Sequence, residues 1–157
     1  MGGKPWQPGR TWRPRHPRSP PWAAVDVSHG RRRGMLVTVS ADSLPRVHPV
    51  NVGIVDGHLY TFVQTKSGKA HDLATDGRYA MHTHYDPKAP HEFQVRGRAQ
   101  RVVDYALRSA VAANWFFTAK DYPLYELLIE HAMLGERATT NDWPPRYTFW
   151  KATLGQD

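Results

Sequence analysis

The chain contains no cysteine, which excludes disulfides, thiolate metal sites and cysteine nucleophiles. Nowhere do eighteen apolar residues run together, so no membrane-spanning helix can be read from it. Met1 to Trp22 lacks the apolar core of a signal peptide, and the expectation is a soluble, cytoplasmic protein. Acidic residues are almost missing from one end. Residues 1–33 hold eight Lys/Arg against Asp26 alone, whereas the remainder carries thirteen of each sign. Six of the thirteen prolines also precede Ala23. The division expected is therefore a basic, proline-rich arm over 1–21 and one folded domain over 22–157, large enough for a single core. Trp6, Trp12 and Trp22 suggest that the arm packs on the body or on a second subunit. No Ser-His-Asp order, paired catalytic carboxylates or glycine-rich dinucleotide motif is present.

The domain itself is rich in strand signals. Gly34 to Ala41 and Arg46 to Val55 are β-type runs joined by the turn Asp42-Ser43-Leu44-Pro45. Asp56-Gly57 marks a hairpin, with His58 to Val63 returning. Ser67 can cap a short helix to Thr75 that ends at Asp76-Gly77. Arg78 to Tyr85 and Glu92 to Val103 are two further strands, and Arg146 to Thr153 is the last. Asp104 can cap a helix to about Phe117. The stripe Leu124, Leu127, Leu128, His131 and Leu134 predicts a second helix over Pro123 to Leu134. Six strands joined mostly by tight turns predict a mainly β (α+β) fold, a six-stranded antiparallel barrel with a few flanking helices.

The most informative stretch runs from Tyr60-Thr61 to Lys66-Ser67-Gly68-Lys69. A strand end, a loop with two lysines and a serine, and a helix start gather ammonium groups, hydroxyls and free backbone N–H groups. That set suits a terminal phosphate, although no Walker motif is present. Arg46 adds a further cation, while Thr61, Ser67 and the backbone from Gly68 to Ala70 add hydrogen bonds. An ordinary helix cap with solvated lysines is the competing explanation. His48-Pro49-Val50 can line a flat apolar slot, or Pro49 can simply mark a sheet edge. His82 and His84 share a strand face near His91, but ordinary strand histidines explain them better than a metal site does. Trp115, Phe116, Phe117 and Trp150 read as core or dimer contacts.

Four motifs in this order resemble the pyridoxamine 5′-phosphate oxidase-like split barrels, a superfamily of FMN- and deazaflavin-binding proteins. They are Arg46-Val47-His48-Pro49-Val50-Asn51, Leu59-Tyr60-Thr61, Ser67-Gly68-Lys69-Ala70 with its helix to Asp76-Gly77-Arg78-Tyr79, and Phe93-Gln94-Val95 followed by Gly97-Arg98-Ala99. The match covers about Trp22 to Thr153. It implies that Arg46 and the backbone of Val47, His48, Pro49, Val50 and Asn51 line a flavin, with Arg46 at its phosphate. It implies Tyr60 and Thr61 near the ribityl chain and phosphate, and Ser67 and Lys69 on the phosphate, with Lys66 and Gly68 in the same loop. Gln94 is implied to reach the cofactor from the second subunit of a homodimer.

Gly68 stands where the oxidase proper tends to carry a basic residue. The C-terminal arginine- and histidine-bearing segment of that enzyme is not evident after Trp150. The resemblance therefore implies an FMN-dependent oxidoreductase acting on another small molecule. Alternatives are a deazaflavin reductase, whose cofactor tail the arginine-rich arm would meet, and a non-catalytic flavin- or haem-binding stress protein. Nucleic-acid binding through the arm ranks last, since the domain's own charge is balanced.

Overall fold

The computed structural model describes residues 32–83, 92–115, 117–119 and 121–152. Their elements are β1 (Arg32–Val39), β2 (Pro45–Val55), β3 (His58–Phe62), α1 (Gly68–Thr75), β4 (Arg78–Thr83), β5 (Glu92–Arg101), α2 (Tyr105–Ala113), β6 (Leu124–Glu136) and β7 (Arg146–Lys151). The basic arm, His84, His91 and Phe116 lie outside the described residues.

All strand pairs are antiparallel, in the order β3-β2-β1-β4-β5-β6-β7. A further pairing of β3 with β6 closes the first six strands into a barrel. The long β6 makes closure possible. Its start pairs with β3 (Thr61 opposite Tyr125), and its end pairs with β7 (His131 opposite Lys151), while β5 runs along its other edge.

Each strand alternates inward and outward as the pleat requires. Leu36, Met81, Val95 and Ala132 form an inward row of buried side chains. The helix α1 packs on β1 and buries Ala70, Asp72 and Leu73. On the outer face of β3, Tyr60 and Phe62 meet Val111 of α2 in a second cluster with Trp115 and Phe117. Phe62 and Trp115 pack edge to face at 4.9 Å, a favourable aromatic geometry. These aromatics are core, as expected. The β2–β3 turn places Asp56 and Gly57 at φ 51° and 80°, the left-handed pair that an Asp-Gly hairpin provides.

One element corrects the sequence reading. Pro123 to Leu134 is not a helix but most of β6. Leu124, Tyr125, Glu126 and Leu127 are all buried, because β6 is covered on both faces where it closes the barrel. A strand apolar on both faces loses its two-residue alternation and mimics a helical stripe. Pairing with β5, β3 and β7 then overrides the helix propensity of its leucines. The barrel is six-stranded, as expected, with β7 an extra strand among the described residues, and α2 begins beside its cap Asp104 but stops at Ala113.

Candidate functional site

Three elements meet at the start of α1. Ser67 caps the helix: its Oγ accepts from the Ala70 N–H at 3.3 Å. The same hydroxyl donates its proton to the Gln64 carbonyl at 2.7 Å. The N–H groups of Gly68 and Lys69 have no partner within the helix, as first-turn donors never do. Beside Gly68 lies the Arg46 guanidinium of β2. A Cβ at Gly68 would stand 2.9 Å from Arg46 Nη1, so the glycine opens the space the guanidinium occupies.

Behind this cation sits a buried carboxylate. Asp72 is 1% exposed, and its Oδ2 lies 3.7 Å from Arg46 Nε. Oδ2 also accepts the Thr38 hydroxyl at 2.7 Å, while Oδ1 is buried with no partner among the described residues. Thr38 Oγ1 lies 3.2 Å from His48 Nε2. Because the single Thr38 proton goes to Asp72, Thr38 can only accept from His48. The histidine therefore carries its proton on Nε2 and presents Nδ1 as a lone pair. Burial, and then the positive charge of Lys69, hold His48 below the usual histidine range, opposed by Asp72. Arg46, His48 and Lys69 thus share one electrostatic neighbourhood.

Other expected residues fall elsewhere. Thr61 is fully buried and donates to the Asn51 carbonyl at 2.9 Å. Tyr60 is buried beneath α2, and burial raises its pKa. Lys66 is exposed and makes no hydrogen bond or ion pair among the described residues. Val50 faces the core, whereas Val47 and Pro49 are exposed on the outer face. Gln94 is in the outward row Pro49–Met35–His82–Gln94, three strands from β2, and one chain does not bring it to Arg46. Asp72 and Thr38 were missed by sequence reasoning. The only hint was an aspartate between two apolar residues on the buried side of a very short helix.

Comparison with known proteins fixes the family. A sequence profile described as pyridoxamine 5′-phosphate oxidase matches residues 23–153. The chain belongs to the pyridoxamine 5′-phosphate oxidase family. A search of curated proteins found no match. Among solved structures, the fold is shared with a haem-binding protein from Mycobacterium smegmatis, with a TM-score of 0.60 and 18% identity over 80% of this chain. This chain spans 55% of that protein's length. General Stress Protein 26 from Bacillus anthracis str. Sterne aligns with a TM-score of 0.56 and 18% identity, covering 79% of this chain and 93% of that one. A protein described as F420 reductase aligns with a TM-score of 0.51 and 20% identity, covering 64% and 88%.

The pyridoxamine 5′-phosphate oxidase family commonly binds flavins or deazaflavins, and the head of α1 suits the ester of such a group. The Gly68 cradle holds a guanidinium beside two N–H donors that have no partner among the described residues, with Lys69 next in the same turn. Cations and backbone donors at a helix start are what a phosphate monoester of nearly two charges requires. Among the described residues, no cluster of three His, Asp or Glu offers a metal site. No described helix is long and apolar enough to cross a membrane.

Proposed function

We propose that this protein binds FMN through its phosphate at the start of α1 and serves as a flavin-dependent oxidoreductase for a small molecule. The observation that carries the reading is the Arg46 guanidinium seated beside the first turn of α1 at Gly68, with Lys69 next to it. In this reading Arg46, Lys69 and the N–H groups of Gly68 and Lys69 hold the ester. Ser67 shapes the turn by capping, and Asp72 holds Arg46 from behind. The backbone from Val47 to Asn51 borders the ring. Gln94 reaches the cofactor from the other subunit of a homodimer, which would explain its distance from Arg46 in one chain. The bound flavin would supply hydride transfer, and the protein would supply binding and orientation.

The test is a titration of the purified protein with FMN, followed by quenching of flavin fluorescence. Saturable binding that is weakened at least tenfold in Arg46→Ala/Lys69→Ala supports the reading. No binding, or binding indifferent to both substitutions, refutes it. The clamp meets only the ester, so a deazaflavin phosphate is the second reading, and parallel titration with that cofactor separates the two.

A further inference from the structure

We infer that residues 20–27 of this chain dock in the groove beside α2, with the Trp22 indole set against the rings of Trp115 and Phe117. The groove belongs to the cluster on the outer face of β3, whereas α1 packs on β1. The inference stands apart from the cofactor reading. The groove is a cavity of about 640 Å³ walled by Tyr105, Arg108, Ala112, Trp115 and Phe117, ample for a large side chain and its neighbours.

Its walls are held in place. A Cβ at Gly53 of β2 would stand 2.5 Å from Trp115 Cζ3, so the indole is seated directly on the strand. Phe117 packs edge to face with Trp115 at 6.2 Å and with Tyr122 at 6.1 Å. Arg108 donates to the Ala119 carbonyl at 2.8 Å, and its guanidinium lies 5.2 Å from the centroid of the Phe62 ring. Walls fixed in this way leave aromatic surface facing an open groove, a cost in water that an apolar occupant removes.

Position and chemistry identify the occupant. The described chain begins at Arg32, in register with Val52, the neighbour of Gly53. Residues 1–31 therefore join the sheet next to the strand position that carries Trp115. Trp22 precedes Arg32 by ten residues, a reach of up to ~33 Å. The nine residues of α2 are only about 13 Å long. The tether spans the groove easily.

Composition narrows the choice further. No Lys or Arg occurs from Ser19 to Gly30, although eight stand in residues 1–33. This stretch holds Pro20, Pro21, Trp22, Ala23, Ala24 and Val25, followed by Asp26, the sole acid of residues 1–33. The two prolines restrict the undocked chain, so less freedom is lost on docking. Trp22 supplies the ring, and Asp26 complements Arg108, the charged group among the walls. The arginine-rich residues before Ser19 have the wrong charge for that wall.

Because the chain has no cysteine, disulfide crosslinking reads the contact without interference. Ser109 also lines the groove, and Thr75 ends α1. In a glutathione redox buffer, Ala24→Cys/Ser109→Cys should close an intramolecular disulfide at least tenfold faster than Ala24→Cys/Thr75→Cys. Equal rates would overturn the docking. A covalent dimer from Ala24→Cys/Ser109→Cys would overturn it too, by seating the segment on a second copy. Thermal melts give an independent reading. Tyr105 is 82% exposed, so on an open groove Tyr105→Ala would be nearly neutral. With the segment docked, Tyr105→Ala and Trp22→Ala should each lower Tm by at least about 2 °C. The double variant should lose less than the sum, because both substitutions remove one contact. A Tm unmoved by Trp22→Ala, or losses that simply add, would overturn the docking.

Discussion

Gly68→Ala separates binding from folding more cleanly than any charge removal. Gly68 is the first residue of α1 and has ordinary helical backbone, so a methyl group introduces no backbone strain. Replacing a helical glycine with alanine reduces the freedom of the unfolded chain and stabilises by about 0.4–1 kcal/mol. For a chain of this length that is a rise of about 1–4 °C in Tm. The same methyl would lie 2.9 Å from Arg46 Nη1, too close for both to stay. The guanidinium, at the far end of a flexible side chain that is 47% exposed, is the group that moves. Losing a hydrogen bond to a charged group costs about 1.5–3 kcal/mol, and the exposure of Arg46 favours the low end. FMN affinity should therefore fall roughly tenfold to thirtyfold.

Thermal melts of the cofactor-free protein and FMN titrations of the same preparation give the two readings. An unchanged affinity would mean that Arg46 takes no part in holding the ester. A lower Tm would mean that parting the guanidinium from the buried Asp72 carboxylate costs more than the loss of the glycine's freedom returns. A double-mutant cycle closes the test, because Gly68→Ala should add little on an Arg46→Ala background if it acts only by displacing the guanidinium.

Further outcomes follow from the same geometry. Lys69→Ala should weaken FMN binding by ~1.5–3 kcal/mol in calorimetry, and unchanged affinity would remove Lys69 from the clamp. Ser67→Ala should destabilise the fold by about 1 kcal/mol through loss of the cap, yet leave FMN affinity within about twofold, because the hydroxyl proton already goes to Gln64. A tenfold loss of affinity would instead make Ser67 a direct ligand. His58 donates to the Glu126 carboxylate at 2.6 Å, and that bond raises the His58 pKa. Its contribution is complete below the unfolded value of about 6.5 and is lost as pH rises through the higher folded value. Melting curves should show wild type losing stability relative to Glu126→Gln over that rise; parallel profiles would exclude the linkage.

Elements bounded by local chemistry were legible in the sequence. The Asp56-Gly57 hairpin, the Ser67 and Asp104 caps and the edges of β2 and β5 stand within a few residues of their expected places, since each depends on neighbouring residues. β6 was not legible, because its burial on both faces comes from partners far away in the chain. In the candidate site, Arg46 and Lys69 were legible as cations with a helix start between them. The hydroxyls were not. Thr61 and Ser67 have the right chemistry, yet each donates its proton to a main-chain carbonyl instead. Only coordinates show how a hydroxyl is already engaged.

The proposed grip would be made of charge and main chain, and this would limit what it can select. In the proposed reading, two cations and two N–H donors would recognise an ester whatever ring it carries. Asp72 sharpens the arrangement without adding a contact to the ligand: it holds Arg46 in the Gly68 cradle and, through Thr38, fixes which nitrogen of His48 keeps the proton. Choice among rings must then rest on surfaces away from the clamp, chiefly the backbone of β2 and the outer sheet face bearing Pro49, Met35 and His82. That face is open in the single chain. A second subunit laid across it would supply the missing wall, so the specificity of the site would be a property of the dimer and its affinity for phosphate a property of each chain. On this argument, substitutions at the clamp should weaken every phosphate-bearing cofactor alike, and substitutions on the outer face should change which one is preferred.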